Sequence, residues 1–97
     1  MAAYICGDLE ITDPEAYEEY RHKVPAIMAM YDGRFVVRGG AAELLEGGPA
    51  PKRQVILEFP SMARLKAFYD SPEYRPLRDL RQRCSAGRLL AVEGVAP

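Results

Sequence analysis

Phe68-Tyr69-Asp70-Ser71-Pro72-Glu73-Tyr74-Arg75-Pro76-Leu77 is the stretch on which the fold turns, because it reads as a corner between two helices. Upstream of it, Met62, Leu65, Phe68 and Tyr69 recur at helical spacing on one inner side, and that helix stops near Asp70. Ser71 then caps a further helical segment, with Pro72 in the first turn, where a missing N–H costs nothing. Tyr74, Leu77, Leu80, Arg81 and Cys84 share one face of that segment.

Working outward, Arg53 to Phe59 reads as a strand, with Val55, Leu57 and Phe59 on one face and Gln54, Ile56 and Glu58 on the other. Pro60-Ser61 ends it and opens the helix that follows. Ahead of it lies Gly47-Gly48-Pro49-Ala50-Pro51, the strongest loop signal in the chain, and Ala41 to Glu46 is expected to run as an edge arm. Arg34 to Arg38 is a strand that Gly39-Gly40 breaks, after the turn Asp32-Gly33. Ala3 to Ile11 is another, with Tyr4, Cys6 and Asp8 facing one way and Ile5, Gly7 and Leu9 the other.

The first helix follows directly. Thr12 and Glu15 have capping-box spacing, Asp13 is the alternative cap, and Pro14 suits the first turn. Tyr17, Tyr20, Val24, Ile27, Met28 and Tyr31 form its apolar stripe, which Pro25 interrupts and is expected to kink. At the far end Gly87 is expected to release the chain into a last strand, Arg88 to Val95.

The order is therefore βαββαβ: an α+β, ferredoxin-like domain with a four-stranded antiparallel sheet and its helices on one face, spanning residues 1–97 as one unit. Helices can cover only one face of such a sheet. The strands nonetheless carry apolar residues on both, among them Ile5, Val36, Val37, Ile56, Leu57, Leu90 and Val92. A second copy presenting the same face is the simplest cover, so a homodimer is expected.

Composition narrows the class further. A chain of 97 residues with 48% hydrophobic and 28% charged residues is that of a soluble globular protein. No apolar run approaches the roughly 18 residues of a membrane span. Asp8 and Glu10 stand where a signal peptide needs its apolar core, which implies a cytoplasmic protein. Cys6 and Cys84 lack any metal-ligand spacing and read as free thiols, and with His22 the single histidine, no metal centre is expected.

Net charge is −1, but the signs are segregated. Six carboxylates and no base lie between Asp8 and Glu19; from Arg64 to Arg88, seven bases face Asp70, Glu73 and Asp79. Arg75, Arg78, Arg81 and Arg83 suit either anion or nucleic-acid binding or a solvated face that complements the acidic first helix.

Four segments together resemble the domain-of-unknown-function family 1330, within the dimeric α+β-barrel, ferredoxin-like superfamily. They are Ile11-Thr12-Asp13-Pro14-Glu15-Ala16-Tyr17-Glu18-Glu19-Tyr20, Gly33-Arg34-Phe35-Val36-Val37-Arg38-Gly39-Gly40, Glu58-Phe59-Pro60-Ser61 and Phe68 to Tyr74. The resemblance implies a homodimer whose two sheets pack into a barrel with the helices outside. It supplies no reaction, since the wider superfamily includes cofactor-free monooxygenases, muconolactone isomerases and haem enzymes.

The resemblance also implies a cavity between helices and sheet. Arg38, beside two glycines, has the fixed fork of donors that suits a carboxylate or enolate. Tyr69 and Tyr74 are candidate hydroxyl donors there, and His22 or Glu58 a candidate proton acceptor. The competing structural roles are Arg38 paired with Glu58 or Glu46, tyrosine hydroxyls tied to backbone carbonyls, and an exposed His22. Asp8, Glu58 and Glu93 form a carboxylate cluster if the strand register brings them together. Arg81 either closes the pocket or pairs with Asp70.

No cofactor is expected: Gly39-Gly40 and Gly47-Gly48 lack phosphate-cradling spacing, and haem has only His22 as a histidine ligand. Arg53 to Phe59 lacks the interior aromatics on which RNA bases stack, so nucleic acid is not expected as a partner. The functional expectation is a small-molecule-binding protein or cofactor-independent enzyme for a small anionic or carbonyl compound. The alternative is a non-catalytic dimerisation or macromolecular-interaction module.

Overall fold

The computed structural model describes residues 1–96. The elements are β1 (Ala3–Ile11), α1 (Pro14–Ala29), β2 (Arg34–Arg38), β3 (Arg53–Phe59), α2 (Met62–Tyr69), α3 (Arg75–Cys84) and β4 (Ser85–Glu93). They form one antiparallel sheet in the order β2-β3-β1-β4, the ferredoxin-like arrangement in which the first and third strands are central. All three helices lie against one face of it. No helix among the described residues is long and apolar enough to cross a membrane.

Local chemistry explains each boundary. Asp13, of the two candidate caps, starts α1: its carboxylate accepts the Ala16 N–H at 3.2 Å. The N–H groups of Thr12 and Asp13 both donate to the Cys84 carbonyl, which ties the start of α1 to the end of α3. The helix continues four residues beyond Pro25. Ser61 caps α2 through Arg64 N–H. Ser71 Oγ accepts the Tyr74 N–H at 3.0 Å and donates to the Phe68 carbonyl at 2.8 Å, so it stitches the corner rather than opening α3 directly. The turn occupies residues 72–74, and α3 begins at Arg75 with Pro76 in its first turn.

Two expectations about the strands are corrected. The last strand begins at Ser85, three residues before the predicted start, because Gly87 does not break it. Gly87 pairs with Leu9 at φ 140°, and a Cβ there would lie 2.0 Å from the Asp8 carbonyl oxygen. Here glycine lets two strands approach instead of ending one. The segment 40–52 is exposed over nearly all its length and carries no strand: Gly39, at φ 74°, turns the chain out of the sheet.

Alternation along β1 and β3 separates the faces as the sequence indicates. Ala3, Ile5, Leu9, Val55, Leu57 and Phe59 are buried under the helices with Tyr17, Tyr20, Val24, Met28, Leu65, Phe68, Tyr74, Leu77 and Cys84. Phe68 sits among aromatic rings, 4.3 Å from Tyr74 and 5.2 Å from Phe59 between centroids. The opposite face is open, and Leu90 and Val92 on β4 remain nearly half exposed.

Candidate functional site

A crevice runs between α1 and the covered face of the sheet. Counting its solvent-open part it encloses about 440 Å³, but only about 20 Å³ accepts the centre of a water molecule, so this slot has room for about one water. Aromatic and aliphatic side chains form most of its walls, and its polar lining includes Tyr20, Tyr74 and Arg81 together with Tyr17, Arg21 and Arg38.

Tyr20, Tyr74 and Arg81 are placed by helical geometry. Tyr20 lies on the buried stripe of α1, Tyr74 on the corner built by Ser71, and Arg81 two turns further along the buried side of α3. One of the two hydroxyls donates to the other across 2.8 Å. Burial, reinforced by the Tyr74 hydroxyl beside it, pushes the Tyr20 pKa well above the usual tyrosine value. Tyr20 therefore stays protonated and can donate a hydrogen bond but cannot serve as a base.

Arg81 is only 7% exposed, and its Nε has no hydrogen-bond partner. Among the described residues no carboxylate lies within ion-pair distance of it. Burial works against its charge, but the Tyr74 and Tyr20 hydroxyls outweigh that and hold its pKa above the usual arginine value. A buried, unneutralised guanidinium is costly, and proteins rarely carry one without an anionic partner.

The mouth of the slot lies between α1 and β2. Arg38 projects there because β2 carries a bulge: Phe35 pairs with Leu57 but Val37 pairs with Ile56, which leaves Val36 as the extra residue. Arg38, opposite Val55, thereby shares the covered face with Phe35, whose ring lies 4.4 Å beneath its guanidinium. It donates to the Arg21 carbonyl across the opening. Neither Glu58 nor Glu46 is its partner. Nearby, Arg53 Nε donates to the Tyr17 hydroxyl at 3.2 Å.

Of the residues singled out from the sequence, the slot brings together Arg38 and Tyr74. Tyr69 is on a neighbouring surface groove of about 460 Å³ along β4, its ring 5.1 Å from the Arg78 guanidinium. His22 is on the outer side of α1, where its Nε2 lies 3.3 Å from the Glu18 carboxylate. Glu58 is on the open face, between Arg34 (Nε donating at 2.8 Å) and the Tyr4 hydroxyl (3.1 Å). The Arg34 hydrogen bond, then that of Tyr4, holds the Glu58 carboxyl below the usual range.

The carboxylate cluster does not form. Glu58 is opposite Tyr4, while Asp8 is four residues along β1, about 13 Å at the usual strand rise, and is bound to Gln54. Glu93 pairs with Ala3, whose side chain faces the helices. Among the described residues no three His, Cys, Asp or Glu side chains come together as a metal site. Arg81 closes the pocket rather than pairing with Asp70, which stands 3.9 Å from Arg78. Tyr17 and Tyr20 escaped notice as site residues because their spacing reads only as core.

The sheet order, the one-sided helices and the slot between them define a ferredoxin-like α+β protein. The chain belongs to the family described as Domain of unknown function (DUF1330), whose model matches residues 2–95. Its fold is similar to that of a protein of unknown function from Rhodopseudomonas palustris, with 20% identity, a TM-score of 0.78, and coverage of 99% of this chain and 84% of that one. It is also similar to SnoaB, a cofactor-independent oxygenase from Streptomyces nogalater, with 11% identity, a TM-score of 0.67, and coverage of 99% and 95%. A third similar structure is HapK from Hahella chejuensis, with 19% identity, a TM-score of 0.63, and coverage of 98% and 94%. No curated protein matches the sequence.

Proposed function

We propose that this protein binds a small anionic or enolisable carbonyl compound beside Arg81 and acts on it without a cofactor. The observation that carries the reading is Arg81, a buried cation with an orphaned Nε, beside the hydrogen-bonded hydroxyl pair of Tyr20 and Tyr74. That arrangement suits an oxygen that bears, or develops, negative charge, as in a carboxylate, phenolate or enolate. Arg81 replaces Arg38 as the anchor of the site, and Arg38 becomes a residue of the slot's mouth. The likeness to SnoaB supports catalysis without an organic cofactor as the chemistry to test first.

The working unit in this reading is a cytoplasmic homodimer. Ile56, Leu90 and Val92 on the open face would be covered by the same face of a second copy, as in an isologous two-fold contact.

The experiment is a comparison of wild type with Arg81→Met in a thermal-shift screen of hydroxy-aromatic acids, β-dicarbonyl compounds and small carboxylates. The expected outcome is ligand-induced stabilisation of the wild type that the variant loses. Meanwhile the unliganded variant should melt at the same temperature or higher, because an apolar side chain of similar length removes a desolvated charge. An Arg81→Met protein that responds to ligands as the wild type does would end this reading.

A further inference from the structure

The helices leave one strand of the sheet uncovered on their own side. On β4, Gly87, Leu89 and Ala91 pair with Leu9, Gly7 and Ile5 and so face the helices, yet Gly87 and Ala91 are exposed and Leu89 is only partly buried. Two of the three are too small to reach the helix layer. Leu89 lies over Gly7, where a Cβ would stand 2.6 Å from its Cδ2, so it covers the neighbouring strand instead of filling the gap. What remains is a groove between β4 and the helices α2 and α3, in two compartments that share Tyr69 and Leu89 as walls. By the measure that gives the α1 slot about 20 Å³, the first compartment offers about 250 Å³ and the second about 460 Å³. The groove, unlike the slot, has space for a small organic molecule.

The compartments differ in character. Arg81 borders the first, so its side chain is a wall of the slot and of the groove alike. Its Nε has no hydrogen-bond partner, and among the described residues no carboxylate pairs with it. The Tyr69 hydroxyl is close enough to help hold the Arg81 charge, while the Ser85 hydroxyl is committed to the Arg81 carbonyl at 2.6 Å. The second compartment is walled by Leu65, Leu89 and Ala91, and the two charged residues that border it, Lys66 and Asp70, are of opposite sign. The first compartment therefore lacks an anion, and the second is an aliphatic trough with no net charge.

Resting on the reading of Arg81 as an anion anchor, we propose that its ligand enters by the β4 groove and is a monocarboxylate with an aliphatic tail. The carboxylate accepts from Arg81 and Tyr69, and the tail lies along Leu65, Leu89 and Ala91. A second acid group on the tail would meet the Asp70 carboxylate, which favours a single charged head.

The test uses acetate, butanoate, hexanoate, octanoate and 1-hexanol, with dissociation constants from amide chemical-shift titration at pH 7. For the wild type, affinity should rise about twofold per methylene from butanoate to octanoate, half the gain of full burial because the groove is open on one side. Hexanoate should bind at least about tenfold tighter than 1-hexanol, the size of one charge-assisted hydrogen bond. Arg81→Met should reduce hexanoate to the affinity of 1-hexanol and leave the methylene increment in place. Tyr69→Phe keeps the ring and should weaken the carboxylates several-fold without affecting 1-hexanol. Ala91→Trp fills the second compartment from an exposed strand position, where a large aromatic suits the fold. It should bring octanoate down to the affinity of butanoate and leave acetate and butanoate as in the wild type.

Affinity that is flat with chain length, or octanoate binding unchanged by Ala91→Trp, overturns the tail and its groove. If Arg81→Met still abolishes the preference for carboxylate, the Arg81 anchor stands without them. Carboxylate binding undiminished in Arg81→Met, or equal affinity of the wild type for hexanoate and 1-hexanol, overturns both readings. Failure of every compound to bind also counts against a tailed carboxylate as the ligand.

Discussion

The two faces of the sheet handle charge in opposite ways. On the open face, where water or a partner could solvate them, two charged pairs are matched: Arg34 holds Glu58, and Lys52 holds Glu10 at 2.9 Å. On the covered face, where an unpaired charge is most costly, Arg81 is buried without a carboxylate and with its Nε orphaned. Folding stability alone favours the reverse distribution, since a buried cation can be exchanged for an apolar residue at no loss and often a gain. The covered face therefore combines a core with an orphaned buried cation, and the open face combines an apolar centre with charged pairs at its margins.

The contrast is broken most severely at Phe68, where three other rings meet. Tyr74 and Phe59 stack against it, and Tyr31 approaches edge-on at 6.3 Å. Phe68→Ala should cost about 3–5 kcal/mol by denaturant titration, the range for deleting a buried aromatic. A loss below about 1 kcal/mol would mean that the covered face is not the organised core described above.

Second in size is the open face. Leu90→Asp places a carboxylate at the apolar centre of the exposed face, opposite Cys6 and between Arg88 and Val92 on the same side of β4. If that face holds two copies together, sedimentation should show the mass falling from two subunits to one at micromolar concentration, with helix content unchanged. A wild type that already sediments as one subunit removes the dimer, and then the apolar open face needs another explanation.

Much of this contrast was legible in the sequence, and the reason is periodicity. The alternation of Val55, Leu57 and Phe59 with Gln54, Ile56 and Glu58 assigns both faces of β3, and the spacing of Tyr74, Leu77, Arg81 and Cys84 assigns the buried side of α3. What sequence could not supply was register. The bulge at Val36 turns Arg38 toward the helices, and no residue type announces it. The pairing of Arg34 opposite Glu58 removes Glu58 from Arg38 and from the slot, and this too is settled only by strand alignment. Tyr20 was hidden differently. A tyrosine on an apolar stripe looks like core until a second hydroxyl is found 2.8 Å away, and that neighbour, Tyr74, is 54 residues distant in the chain.

The smallest expected effect sharpens the open-face half of the comparison. Glu58 accepts from Arg34 and Tyr4, and those bonds favour its charged form, so its folded pKa lies below the unfolded value of about 4.3. A carboxyl depressed on folding contributes stability that is fully present above the unfolded pKa and is lost as pH falls through the folded one. Glu58→Gln keeps the shape, removes the titration and forfeits the contribution. The wild type should therefore lose stability more steeply than the variant as pH is lowered below about 5, and the two curves should converge in acid. Tyr4 sets the opposite limit: its hydrogen bond to Glu58 raises its pKa, so its contribution is present below the unfolded value of about 10 and fades as pH rises beyond it. Chemical-denaturation midpoints of the two proteins between pH 3 and 7 check the acid side. Parallel curves would mean that the Arg34–Glu58–Tyr4 contact is not held in solution. A pH-dependent difference that grows with protein concentration would place the same contact inside an interface, where the acid sensitivity of folding becomes acid sensitivity of assembly.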